Sequence, residues 1–166
     1  DGGDSWSEQQ VVWGDAGNTC GNPCPVIDEE TGVIWLGGTW NHVDDPQETV
    51  IAGTARFSRQ PHITHSADDG RTWANARNIS KEAKHPEWRW YATGPGVGIQ
   101  LKHGPHQGRL VIPCNHSALY PYNPEEAYGG HITYSDDHGE TWQRGGVIEG
   151  VNECQVAELP DGRLLL

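Results

Sequence analysis

The chain has 166 residues and a formal net charge of −12, from 11 Lys and Arg against 23 Asp and Glu. A nucleic-acid binder would have to build its phosphate-neutralising surface against that field, which argues against nucleic acid as a partner. No apolar run approaches the ~20 residues of a membrane-spanning helix. The 22 Gly, 11 Pro and 8 Trp, with one Phe and no Met, favour short strands between many turns over a helix bundle.

In chain order, the sequence opens on Asp1–Trp6 (DGGDSW), followed by the loop DAGNTCGN and an apolar strand, PCPVID. A turn, EETG, leads to a second strand, VIWLGGT, and a long polar segment, NHVDDPQETVIAGTARFSRQ, precedes the alternating run PHITHS. Ser66–Trp73 (SADDGRTW) then repeats the opening motif in full, as S-x-D-x-G-x-T-W. The cycle begins again with the loop HPEWRWYATGP, the strand GVGIQL, the turn HGPHQG and the strand RLVIPC. A long segment, NHSALYPYNPEEAYGG, leads to GHITYS and to the motif's third copy, Ser135–Trp142 (SDDHGETW). The loop IEGVNE, the strand CQVAEL, the turn PDG and the strand RLLL complete the chain.

Trp6, Trp73 and Trp142 lie 67 and 69 residues apart, so the repeating unit is about 68 residues and four short strands. That fits a β-propeller blade with long loops. The repeated motif is an Asp-box: Asp accepts turn N–H groups, Gly takes a positive φ, Thr bonds the backbone, and Trp packs between sheets. It reads as a structural staple. In a meander, alternate turns share a face, which puts the Asp-boxes with the short EETG and PDG turns. The long loops then gather on the opposite face, where function is expected.

Four cysteines are too few for a disulfide scaffold. Cys24 and Cys114, in apolar strands, read as buried thiols, with a Cys20–Cys24 bridge as the alternative. His62 and His65 are the best-spaced pair for a metal, but no carboxylate or thiol completes a ligand set, so no metal site is assigned. Asn78-Ile79-Ser80 and Asn115-His116-Ser117 are glycosylation sequons, relevant only in a eukaryotic secreted setting.

The Asp-boxes together with WYATGPGVGIQL, HGPHQGRL and NECQVAELPDGRLLL resemble the exo-α-sialidases of glycoside hydrolase family 33. The resemblance runs over residues 1–166 and is most specific in the NECQ-x-x-EL-x-DG run. It implies an all-β, six-bladed propeller of roughly 400 residues, six units of this size, of which this chain would supply about two and a half. It implies hydrolysis of terminal sialic acids from sialylated glycans, with retention and without a cofactor. It also implies a secreted or periplasmic protein, or a lysosomal one in a eukaryote. Such enzymes hold the sugar carboxylate with three arginines and use an Asp acid/base and a Tyr nucleophile paired with a Glu. Sialic acid bears its carboxylate on the anomeric carbon, so a carboxylate nucleophile would be repelled there, and a Tyr activated by a neighbouring Glu avoids that.

Only that Glu falls on a matching position, as Glu153. None of the chain's eight arginines matches the triad, so the 166 residues are expected to be inactive by themselves. Glu153 is expected at the start of the third unit's first strand, on the long-loop face, with Glu158 structural at its far end. Asn22 and Thr93 occupy comparable positions in the preceding units, and Asn22 corresponds to a sugar-hydroxyl contact whose amide can donate or accept. Tyr91 and His116 are further substrate-side candidates, Tyr91 as an apolar wall in the loop before Thr93, where Trp88 and Trp90 pack between blades. Arg109 and Arg163 read as turn residues on the Asp-box face. Two other readings stand beside this one: a non-catalytic Asp-box propeller that binds glycans or proteins, and a propeller glycosidase using paired Asp residues.

Overall fold

A computed structural model describes residues 1–118 and 128–166. The fold is all-β, with antiparallel sheets and two short α-helices among the described residues. The first sheet is a meander of β1 (Thr19–Ile27), β2 (Ile34–Asn41), β3 (Gln60–Ser66) and β4 (Arg77–Asn78), each strand beside the next. The second is built in the same sense from β5 (Trp88–Thr93) and β6 (Ile99–Gln100), then β7 (Leu110–Ala118), β8 (Tyr128–Ser135) and β9 (Gln143–Glu149). A two-stranded hairpin, β10 (Ala157–Glu158) with β11 (Leu164–Leu165), follows. The four-stranded unit read from the repeat is therefore present twice, with an Asp-box between the third and fourth strands each time.

The first strands begin earlier than the apolar runs suggest. β1 takes in Thr19–Asn22, expected as loop, and kinks at a bulge between Gly21 and Cys24. In the second unit the supposed loop WRWYAT is strand β5. It pairs with the C-terminal half of β7, while β6 pairs with its N-terminal half. Gly94 (φ 74°) and Gly96 (φ 114°) break what is otherwise one strand into those two pieces. In the long segment after β2, Gln47–Ala52 forms helix α1, closed by Gly53 at φ 72°. Ser80–Ala83 forms α2. Residues 119–127, between β7 and β8, lie outside the described residues.

Both complete Asp-boxes make the same bonds. Asp68 accepts the Thr72 N–H (2.8 Å) and hydroxyl (2.6 Å), Ser66 accepts the Gly70 N–H (2.9 Å), and the Trp73 indole donates to the Gly70 carbonyl (3.1 Å). In the second, Asp137 accepts Thr141 N–H (2.9 Å) and hydroxyl (2.6 Å), and Trp142 donates to the Gly139 carbonyl (2.8 Å). In the opening DGGDSW, Asp1 accepts the Ser5 hydroxyl in the same way. With these donors around it, Asp68 is held down at a pKa of about 2, chiefly by the Thr72 hydroxyl.

The core lies between the two sheets, where Cys24, Val26, Trp35 and Ile63 of the first meet Tyr91, Leu110, Ile112, Cys114 and Trp142. The second Asp-box is wedged into this junction. Trp142 packs edge-on against Trp35, with centroids 6.0 Å apart, and Arg77 donates to the Glu140 carbonyl at 2.7 Å. Buried Asp28, in the turn after β1, joins three elements. It accepts Thr31 Oγ1 (2.7 Å) within its own turn, Gln100 Nε2 (3.0 Å) from β6, and His138 Nδ1 (2.9 Å) from the second Asp-box. Short turns and Asp-boxes thus share one face, as the meander argument requires. Arg109 belongs to that face too, paired with Asp136 at 2.7 Å and lying over the Tyr134 ring.

All four cysteines are free, which removes the Cys20–Cys24 alternative, and Cys24 and Cys114 are fully buried. Burial pushes both thiols up to about 12.

Candidate functional site

The first strands of the successive units converge. Val26 and Ile27 of β1, Gly98 and Ile99 around β6, and Val156 and Ala157 at β10 line one groove of about 710 Å³. At the long-loop end of the same three strands stand Asn22, Thr93 and Glu153. Thr93 donates its hydroxyl to the Asn22 carbonyl, joining the first two strands. The third approach is fixed on the second sheet: Cys154 Sγ donates to the Cys114 carbonyl (3.3 Å), and Asn115 Nδ2 donates to Asn152 Oδ1 (2.6 Å). Cys114 is itself the register partner of Thr93, and Asn115 of Ala92. Glu153 lies between these two anchored residues and is exposed. It occupies a bend four residues before β10, not the start of the strand as expected. Among the described residues it forms no ion pair with Lys or Arg.

Glu158 is different. Its carboxylate accepts the backbone N–H groups of Lys102 (2.7 Å) and His103 (3.0 Å), which caps the turn after β6. That supports the structural reading.

Two expected substrate contacts are placed elsewhere. Tyr91 is 0% exposed, inside β5, with its hydroxyl 2.6 Å from Thr133 Oγ1 and 3.3 Å from Cys114 Sγ. Burial first, then the neighbouring Cys114, drives its pKa well up, and its side chain meets no solvent in which to wall a ligand. The strand WRWYAT was read as loop, which misplaced it. His116 is buried in β7, stacked on Trp88 at 3.5 Å, with Nδ1 at 3.1 Å from His131 Nδ1. Burial, reinforced by the charge of Arg144, lowers its pKa to about 4, so the imidazole is neutral. It lines a pocket of about 530 Å³ with Trp88, Arg89, Arg144 and Glu149, and this pocket includes none of Asn22, Thr93 and Glu153.

His62 and His65 do not converge either. His62 stacks on Trp13 (centroids 5.0 Å apart) and His65 packs tilted against Trp35 (4.6 Å), and no group of three or more His, Cys, Asp or Glu is arranged to hold a metal among the described residues.

One residue of this site was missed. Arg59, from the long segment before β3, is 5% exposed and donates Nη2 to Asn22 Oδ1 (2.6 Å) and Nε to Thr39 Oγ1 (2.9 Å). Its guanidinium lies 4.1 Å over the Trp90 ring. Burial lowers its pKa to about 10, so it remains charged at neutral pH. Nothing local in TARFSR distinguishes this arginine from Arg56 in the same loop.

Antiparallel meanders stapled by Asp-boxes, with their first strands converging on one groove, define the class. The chain belongs to the BNR repeat-like domain family, which it matches over residues 1–166. It is 34% identical to the sialidase of Micromonospora viridifaciens over its whole length, and 34% identical to Sialidase-4 of Mus musculus over 87% of it. It spans 26% and 31% of those two proteins. Among solved structures, a Hadza microbial sialidase superposes over 99% of this chain and 33% of its own, with a TM-score of 0.81 at 28% identity. A Trypanosoma rangeli sialidase covers 98% of this chain and 27% of its own at a TM-score of 0.71, a likeness of fold at 17% identity.

Proposed function

We propose that the intact protein is a retaining exo-α-sialidase acting on terminal sialic acids of glycans, on a six-bladed propeller to which these residues contribute about two and a half blades. The observation that carries the reading is the position of Glu153. It is anchored through its neighbours on the second sheet, exposed, free of cationic partners among the described residues, and level with Asn22 and Thr93 at the long-loop ends of converging first strands.

In this scheme Glu153 takes the phenol proton of a tyrosine nucleophile as the phenolate attacks the anomeric carbon. Asn22 bonds a hydroxyl of the bound sugar, and no cofactor enters the step. The arginines that hold the sugar carboxylate, the acid and the nucleophile have no matching positions in this chain, so the 166 residues alone do not turn over. Substrates of this kind lie on glycans outside the cytoplasm, which places the enzyme in a secreted, periplasmic or lysosomal setting. Incubation of the intact protein with sialyllactose tests the reading: free sialic acid is expected. Binding of sialylated glycans without release would make the protein a non-catalytic Asp-box module.

A further inference from the structure

Arg59 is a cation in a place that packing alone does not favour. It is almost fully buried, and no carboxylate lies within ion-pair distance among the described residues. An apolar side chain of its volume would avoid the desolvation cost. Its backbone is held on both sides, with its N–H donating to the Arg89 carbonyl (2.9 Å) and its carbonyl accepting Lys84 Nζ (2.6 Å). The Trp90 ring and Thr39 fix the guanidinium plane.

An arginine has donors and no acceptor, so the Asn22 atom facing it must be the oxygen. Asn22 Oδ1 therefore receives Arg59 Nη2 at 2.6 Å, with the Thr39 hydroxyl at 3.4 Å. Asn22 Nδ2 has no protein partner among the described residues, and its side chain is half-exposed. Asn22 also has a φ of 52°, at the β1 bulge, which turns it out of the regular pleat.

We propose that Arg59 is a positioning residue. By occupying Asn22 Oδ1 it presents the Asn22 amide to the cleft as a hydrogen-bond donor only, selecting an acceptor oxygen of the bound sugar. This rests on the reading of Asn22 as a sugar contact. Of the two roles open to that amide, acceptor and donor, the arginine removes the first.

The test compares Arg59→Met, Asn22→Ala and the double variant in the intact protein. With sialyllactose as substrate, KM is expected to rise about 3- to 10-fold in each single variant, the loss of one hydrogen bond, with kcat within about twofold. The double variant should be no worse than Asn22→Ala, because both remove the same bond. Arg59→Met should melt at or above the wild-type temperature, since the buried Thr39 hydroxyl keeps its bond to the Gly21 carbonyl (3.2 Å) and the buried charge is gone. A lower melting temperature with additive KM effects would make Arg59 merely structural and overturn the proposal. A crystal structure of Arg59→Met gives a readout independent of the substrate. Asn22 is expected to leave its single orientation, and an unchanged, fully ordered Asn22 amide would overturn the proposal. If the wild-type protein releases no sialic acid while Asn22 does reorient in Arg59→Met, the positioning role stands and the sialidase reading falls.

Discussion

Removing the Asp28 carboxylate should loosen the junction between the two sheets. Its oxygens accept from Glu30 N–H and Gln100 Nε2, each at 3.0 Å, Thr31 Oγ1 at 2.7 Å and His138 Nδ1 at 2.9 Å. Bonds to a carboxylate contribute roughly 1.5–3 kcal/mol each. The His138 side chain is half-exposed, so its share is discounted for solvent screening. Glu30 and Thr31 are exposed and can turn to water. The Gln100 bond and the vacated space remain, which puts Asp28→Ala at about 3 kcal/mol. For a cooperative unit of this size that is a fall of about 6–12 °C in Tm, and less in a longer one. Burial alone would raise the Asp28 pKa, but Thr31, His138, Glu30 and Gln100 together hold it below the ordinary value. A carboxylate with a depressed folded pKa stabilises above its unfolded pKa of about 3.9, and that contribution disappears as pH falls through the folded value. Differential scanning calorimetry of wild type and Asp28→Asn from pH 7 to 3 should therefore show a constant gap above about pH 5 that begins to narrow below about pH 4. An Asp28→Ala melt within 1 °C of wild type, or a gap that persists unchanged at pH 3, would refute this account of the junction.

The Asp-boxes should differ in weight. Trp142 is fully enclosed against Trp35 whereas Trp73 is half-buried, so by thermal melt Asp137→Ala is expected to cost about 2–3 kcal/mol and Asp68→Ala clearly less, both with unchanged turnover per folded molecule. Gly139 has a φ of 94° and a Cβ there would overlap the Trp35 indole, so Gly139→Ala should destabilise more than Gly70→Ala, whose Cβ meets only Trp73 at 4.0 Å; equal Tm losses would contradict the wedge. Glu158→Gln should lower Tm modestly through the Lys102–His103 turn and leave kcat unaffected.

What was legible in the sequence was the part held by local chemistry. An Asp-box closes its hydrogen bonds within eight residues, so its pattern survives as a readable string, and the spacing of three copies defines the unit. The faces of the meander followed from that alone. The first strands were harder. Gly94 and Gly96 interrupt β5 and β6, and the polar-looking WRWYAT before them carries charge and aromatics that read as loop. The consequence was Tyr91, placed in a ligand wall when β5 in fact carries it into the core between the sheets. Asn22 and Thr93 were singled out because they occupy equivalent positions in successive units. Arg59 had no such signal: its burial and its bond to Asn22 depend on a long segment folding back through 37 residues of sequence separation.

The most direct test of the central claim is the initial rate of fluorogenic α-sialoside hydrolysis by the intact protein as wild type, Glu153→Gln and Glu158→Gln. Gln at 153 keeps size and a hydrogen bond but cannot take the phenol proton, so kcat should fall by about 10²–10⁴-fold with folding intact, while Glu158→Gln turns over like wild type. Equal rates for the two variants, or a wild-type protein that releases no sialic acid, would contradict it.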